Sequence, residues 1–171
     1  MQIGCVKEIK NNEFRVGLTP DNVRDYVAAG HHVYMERGAG VGSGFSDNEY
    51  VDAGASIIDN AAEVWHLVDM MVKVKEPLAG EYKLFHEGLI LYTYLHLAAD
   101  REQTDALLKG KVKAVAYETI QETDRSLPCL APMSQIAGRL SIQEGAKYLE
   151  RGSAAKASCW RASPARRKRT W

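Results

Sequence analysis

Apolar residues along this chain fall into short runs, and between the runs they recur at helical spacing. Residues 1–6 form the first run and predict a strand. Thr19-Pro20-Asp21 then opens a helix: the threonine can cap it, and proline suits the first helical position. Val23, Tyr26 and Val27 give this helix an apolar stripe, and Gly30 ends it. Residues 32–36 alternate as a strand does. A turn with Gly38, Gly40, Gly42 and Gly44 follows, and Ser46-Asp47 starts a helix through Ala53. Residues 56–58 predict a short strand, 61–66 a short helix, and 69–74 and 89–94 two strongly apolar strands. Residues 100–108 predict a helix closed by Gly110, and 112–117 another strand. Strands alternate with helices throughout, which predicts an α/β fold: a doubly wound, largely parallel sheet with helices on both faces. From Ser134 to about Arg151 the pattern predicts one long helix, with Ile136, Leu140, Ile142, Tyr148 and Leu149 as its apolar positions.

Composition narrows the class without changing this picture. With 171 residues, 46% apolar and 26% charged, the chain has an ordinary globular profile and room for one domain with an appendage. No apolar run approaches the roughly 18–20 residues of a membrane span, and no basic-then-apolar leader opens the chain. Cys5, Cys129 and Cys159 lie far apart, forming neither a disulfide framework nor a metal knuckle. The expectation is a cytoplasmic protein without a membrane partner. The balanced charge conceals an asymmetry: residues 151–171 hold seven of the 22 Lys/Arg and none of the 22 Asp/Glu, leaving the first 150 residues at −7. A basic tail can serve nucleic acid or an anionic membrane; for the reason given below, it is expected to serve neither.

Three predicted strands end in residues that can carry chemistry. The run Lys7-Glu8-Ile9-Lys10-Asn11-Asn12-Glu13-Phe14-Arg15-Val16 follows the first strand, and open α/β sheets bind ligands off the carboxyl ends of their strands. Arg15 can hold a carboxylate by two parallel charge-assisted hydrogen bonds; the same run also reads as a solvated charged loop. Lys75 ends the strand at 69–74, where a lysine can polarise a carbonyl or neutralise a carboxylate, or simply keep an edge strand soluble. Lys73 shares its face by strand periodicity. His96, after Thr93-Tyr94-Leu95, is a natural acid/base near neutral pH, although a lone histidine is more often structural. The glycine string 38–44 lacks both the P-loop lysine and GxGxxG spacing, and reads as a flexible surface turn. His31 and His32 have no ligand-spaced partner, leaving any metal unknown.

These residues, in this order, resemble the alanine dehydrogenase and pyridine nucleotide transhydrogenase family. The similarity begins at GCVKEIKNNEFRVGLTPDNVRDYVAAG from Gly4. It continues through AGVGSGFSDNEYVDAGA, VKVKEP, LYTYLHLA, VAYETIQ and APMSQIAGRLSIQEGAKYLE, covering about residues 1–150. Departures lie beside Arg15: Val6 where proline is usual, Phe14 where asparagine is common, and Gly17 where alanine is common. The resemblance implies a Rossmann-like or flavodoxin-like substrate domain, incomplete here, over 1–132, with an inter-domain helix over 133–151. It implies that Arg15 clamps the substrate carboxylate and that Lys75 binds the carboxylate or keto oxygen. His96 would act as general acid/base, Tyr94 and Met133 would line the pocket, and Ser134 would contact NAD. The implied reaction is NAD-dependent oxidative deamination of L-alanine to pyruvate and ammonia, in a homo-hexamer. The transhydrogenase NAD-binding subunit shares the layout, but His96 and Glu118 in their contexts favour the dehydrogenase. A non-catalytic pyruvate- or alanine-binding module is the alternative.

The family continues beyond this point into a NAD-binding Rossmann domain, which the 171 residues do not contain. The tail 155–171 reads AKASCWRASPARRKRTW. Read in a shifted frame, the codons of Cys159-Trp160 force a leucine, and the run permits the glycine-rich link that the family carries. The expectation is a frameshift near Gly152, a basic tail at 152–171 without a binding role, and an inactive chain.

Overall fold

The structure, a computed structural model, describes residues 1–149. The chain divides into two units, Met1–Ile120 and the segment from Gln121 onward. In the first unit, β1 (Gln2–Cys5) leads to α1 (Pro20–Ala28), β2 (His32–Glu36), α2 (Asp47–Asp52) and β3 (Ser56–Ile58). Then α3 (Ala61–Leu67), β4 (Met70–Val72), β5 (Ile90–Thr93), α4 (Arg101–Lys109) and β6 (Lys113–Ala116) complete it. The six strands form one parallel sheet in the order β3-β2-β1-β4-β5-β6. This is the doubly wound, Rossmann-like α/β fold anticipated from the alternation of strands and helices. Boundaries differ from the predicted ones by a residue or two at most ends. The ladder between β4 and β5 outlasts the regular strands, since the Lys73 amide donates to the Tyr92 carbonyl at 3.0 Å.

The helices start where their caps dictate. Thr19 and Asn22 form a reciprocal box at the start of α1, and Ser46 and Glu49 do the same for α2. The side chains of Asn60 and Asp100 cap α3 and α4. Two apolar clusters flank the sheet, as strand alternation requires. Ile3, Cys5, Val33 and Met35 pack with Val23 of α1 and Tyr50 of α2. On the other face Met71, Leu89 and Leu91 pack with Val64 and Trp65 of α3 and Leu107 of α4. Gly4 lies between Ile3 and Cys5 in β1 and faces α3 closely: a Cβ there would come within 2.7 Å of Val68 and 2.9 Å of Val64.

The second unit contains α5 (Ala131–Tyr148). It begins three residues before the predicted Ser134, because Pro132 is acceptable in the first turn, where no intrahelical donor is needed. None of its residues is buried, and Ile136, Leu140, Ile142 and Tyr148 are exposed. The predicted tail at 152–171 lies outside the described residues. Among the described residues no helix is long and apolar enough to cross a membrane.

Gly4→Ala is expected to destabilise the fold by about 1–3 kcal/mol, because α3 must retreat from the sheet to admit the methyl. Urea unfolding checks this; an unchanged midpoint would show that α3 sits more loosely than its contacts indicate.

Candidate functional site

The strand order places a switch point at β1. The chain leaves β1 toward β2 and β3 on one side, then crosses to β4, β5 and β6 on the other. In open α/β sheets, ligands bind at such a point, off the carboxyl ends of the strands. The three candidate segments follow β1, β4 and β5, which are neighbours in the sheet.

The 14 residues 6–19 between β1 and α1 lie across the end of β4. At Gly17 a Cβ would stand 2.8 Å from the Val72 carbonyl oxygen, so the loop touches backbone there. Glu8, one of the few buried acids, turns its carboxylate back to the chain after β4. Its Oε1 accepts from the Val74 amide at 2.6 Å and from the Lys75 amide at 3.3 Å. Lys73 is fully buried, with its ammonium 3.1 Å from Glu81 Oε1 and 3.4 Å from Glu8 Oε2. These contacts lack hydrogen-bond geometry and act as charge on charge. Burial pushes the Glu8 carboxyl above its ordinary range, with Lys73 and the two amides opposing. Lys10 and Glu76 add a second tie between the two loops.

These ties separate the two lysines. β4 ends at Val72 and lies between β1 and β5, so neither lysine guards a sheet edge. Lys73 is consumed in the buried cluster. Lys75 is half-buried, and among the described residues its ammonium makes no hydrogen bond or ion pair. Its carbonyl accepts from the Thr93 hydroxyl at 2.9 Å, which joins it to the end of β5.

Arg15 is half-exposed and grips Glu13 with both donors of one guanidinium edge, Nε to Oε1 at 2.8 Å and the terminal nitrogen to Oε2 at 2.6 Å. The Arg15 hydrogen bonds hold the Glu13 carboxyl below its ordinary range. The loop is braced from outside by the glycine string. At Gly42 a Cβ would stand 2.6 Å from the Phe14 carbonyl oxygen, and that oxygen accepts from the Ser43 hydroxyl at 3.1 Å. Residues 41–44 are exposed, as a surface turn requires, and Gly42 and Ser43 fasten that turn to the Arg15 loop.

His96 follows β5 in a left-handed conformation, φ 52° and ψ 36°. Glu118 stabilises this turn by accepting from the His96 amide at 2.7 Å and the Leu95 amide at 3.1 Å. The Tyr94 ring stacks near-parallel to the imidazole, with centroids 6.4 Å apart, and meets Tyr117 edge-on at 4.8 Å. Arg15 lies within electrostatic range of Tyr94, Glu13 of Lys75, and Glu76 of His96. Arg15, Lys75, Tyr94 and His96 thus belong to one region at the ends of β1, β4 and β5. Met133, half-buried, and Ser134, exposed, lie in the first turn of α5 in the other unit. Glu8, Glu81 and Glu118 organise the region and were not singled out as site residues. Glu118 comes two residues and Glu8 three residues after a strand end, whereas Glu81 lies nine residues past β4 and carries no such signal.

The nearby thiol offers no nucleophile: burial pushes Cys5 up to about 12. No group of three or more potential metal ligands occurs among the described residues. A dinucleotide also fits poorly. The connection from β1 to α1 is a charged loop rather than a tight glycine turn, and in the 38–44 string Gly40 faces Tyr50 and Gly42 faces Phe14.

Residues 4–137 match the family described as "Alanine dehydrogenase/PNT, N-terminal domain". An alanine dehydrogenase of Methanococcus maripaludis is 58% identical over 156 residues, which are 91% of this chain and 42% of that protein. One from Staphylococcus haemolyticus is 56% identical over 151 residues, 88% of this chain and 40% of its own length. Among solved structures, an L-alanine dehydrogenase superimposes with a TM-score of 0.84 at 54% identity, covering 91% of this chain and 43% of that one. A transhydrogenase from Sinorhizobium meliloti gives 0.68 at 27%, covering 73% and 36%. The chain spans about two fifths of the length of the curated relatives it matches.

Lys73→Met is expected to cost about 3–5 kcal/mol in urea unfolding, because it strands two buried carboxylates. The Glu8 proton gives a separate signature. A carboxyl raised in the folded state adds stability below its ordinary 4.5 and loses it as pH climbs through the raised value. Wild-type stability should therefore fall relative to Glu8→Gln as pH rises from about 4.5; parallel pH profiles would refute that origin.

Proposed function

The chain belongs to the alanine dehydrogenase/PNT family, whose N-terminal domain it carries, and from that premise we propose that it forms the substrate side of an NAD-dependent alanine dehydrogenase. The whole reaction converts L-alanine and water to pyruvate and ammonia, with NAD as hydride acceptor. The observation that carries this reading is the convergence of Arg15, Lys75 and His96 on three neighbouring strand ends at the switch point.

Each residue has one task in this scheme. Arg15 holds the substrate carboxylate, since a guanidinium presents paired donors that match it. Lys75, whose ammonium is uncommitted, holds the carboxylate or the keto oxygen and favours negative charge developing there. His96 removes a proton from the water that adds to the imine carbon, giving a carbinolamine, and returns a proton to the departing amine. Tyr94 stacks beside the imidazole and walls the pocket. Ser134 is the proposed contact to the cofactor. Hydride transfer requires a nucleotide-binding domain besides these 171 residues, so the isolated chain is proposed to be inactive while retaining affinity for pyruvate.

The 171-residue chain, mixed with L-alanine and NAD, is expected to form no NADH by absorbance. Titration calorimetry with pyruvate should give binding that weakens about ten- to hundredfold in Arg15→Ala, the value of charge-assisted pairing. His96→Asn should leave it little changed. Pyruvate binding that ignores Arg15 would reject the proposed clamp.

A further inference from the structure

In the absence of ligand, the guanidinium of Arg15 already holds a carboxylate. Glu13 meets one full edge of it, with both oxygens engaged at 2.8 and 2.6 Å, and Oε1 also accepts the Arg15 amide at 2.9 Å. The Glu13 side chain is 8% exposed and that of Arg15 is 48% exposed, so the acid is the fixed partner and the base the accessible one. Glu13 also lies within electrostatic range of Lys75. Its carboxylate is therefore bound to one of the two cations that a bound acid would need and within electrostatic range of the other. Glu8 and Tyr94 are the other titratable groups acting on Arg15.

We propose that Glu13 is a built-in competitor for the ligand's carboxylate at Arg15, and so acts as a specificity-determining residue. The proposal rests on the reading of Arg15 as the carboxylate clamp. A simple monocarboxylate offers Arg15 only what Glu13 offers already, and brings like charge beside it. A 2-oxo acid brings a carbonyl oxygen for Lys75 as well, and that second anchor tips the exchange. The Arg15 end of the pair is half-exposed, and ion pairs open to water exchange readily, which suits a contact that must open on binding. The site thus takes two-point ligands and discriminates against acetate-like anions.

The test compares pyruvate binding by the full chain and its Glu13→Gln variant, using calorimetry and the Arg15 Nε–H signal in nitrogen-15 NMR. Removing the competitor should tighten pyruvate about two- to fivefold, the scale of an exposed ion pair. Acetate should gain at least as much. The Arg15 Nε–H signal should move on substitution and return toward its original position on adding pyruvate, a response that a purely structural role would not produce. Unchanged affinity overturns the proposal. Weaker affinity also overturns it, showing that Glu13 orients the guanidinium by one edge and leaves the other to the ligand. No pyruvate binding in either protein rejects the clamp itself, and the competitor with it.

Discussion

One buried cation organises the carboxyl end of this sheet. Lys73 has no solvent contact and sits between Glu8 and Glu81, which come from the loops after β1 and β4. Removing three charges from water is costly, and the arrangement persists because each carboxylate has further partners. Glu8 takes the amides of Val74 and Lys75, and Glu81 takes the amide of Leu78 at 2.9 Å. Two loops far apart in sequence are thereby held to the end of one strand. The long β1–α1 loop, and Arg15 with it, hangs from this attachment.

The same cluster explains why Lys73 and Lys75 differ. Both emerge beside a strand end, and periodicity alone treats them as equals. The pull of Glu8 and Glu81 takes one into the interior and leaves the other uncommitted. Polarity along the chain cannot distinguish a lysine that fastens the scaffold from one left without an acid; the distinction lies in which acids return to meet it.

The order of strands and helices was legible because apolar runs and caps are local. Thr19, Ser46 and Asp100 mark helix starts within one or two residues, and β1 to β6 lie where the apolar runs fall. The clustering of Arg15, Lys75 and His96 was legible only as three strand ends, since strand order is not written in any one segment. The carboxylates that position them were not legible as such. Glu8 and Glu118 accept from backbone amides brought near by the fold, and Glu81 meets Lys73 only through it; the resemblance marked Glu118, but nothing along the chain assigned any of the three a positioning role. The glycine string is the exposed turn that its composition indicates, but the close approach of Gly42 to Phe14, which an absent side chain permits, was not legible in it.

The backbone at residue 96 restricts what that position can tell an experimenter. A left-handed turn disfavours most side chains and tolerates histidine, asparagine, aspartate and glycine better than the rest. Chemistry and conformation therefore make overlapping demands on one residue. Replacing the imidazole with alanine removes the proposed proton carrier and strains the turn that Glu118 secures, merging two losses into one number. Asparagine, which accepts the turn but cannot carry the proton, separates them.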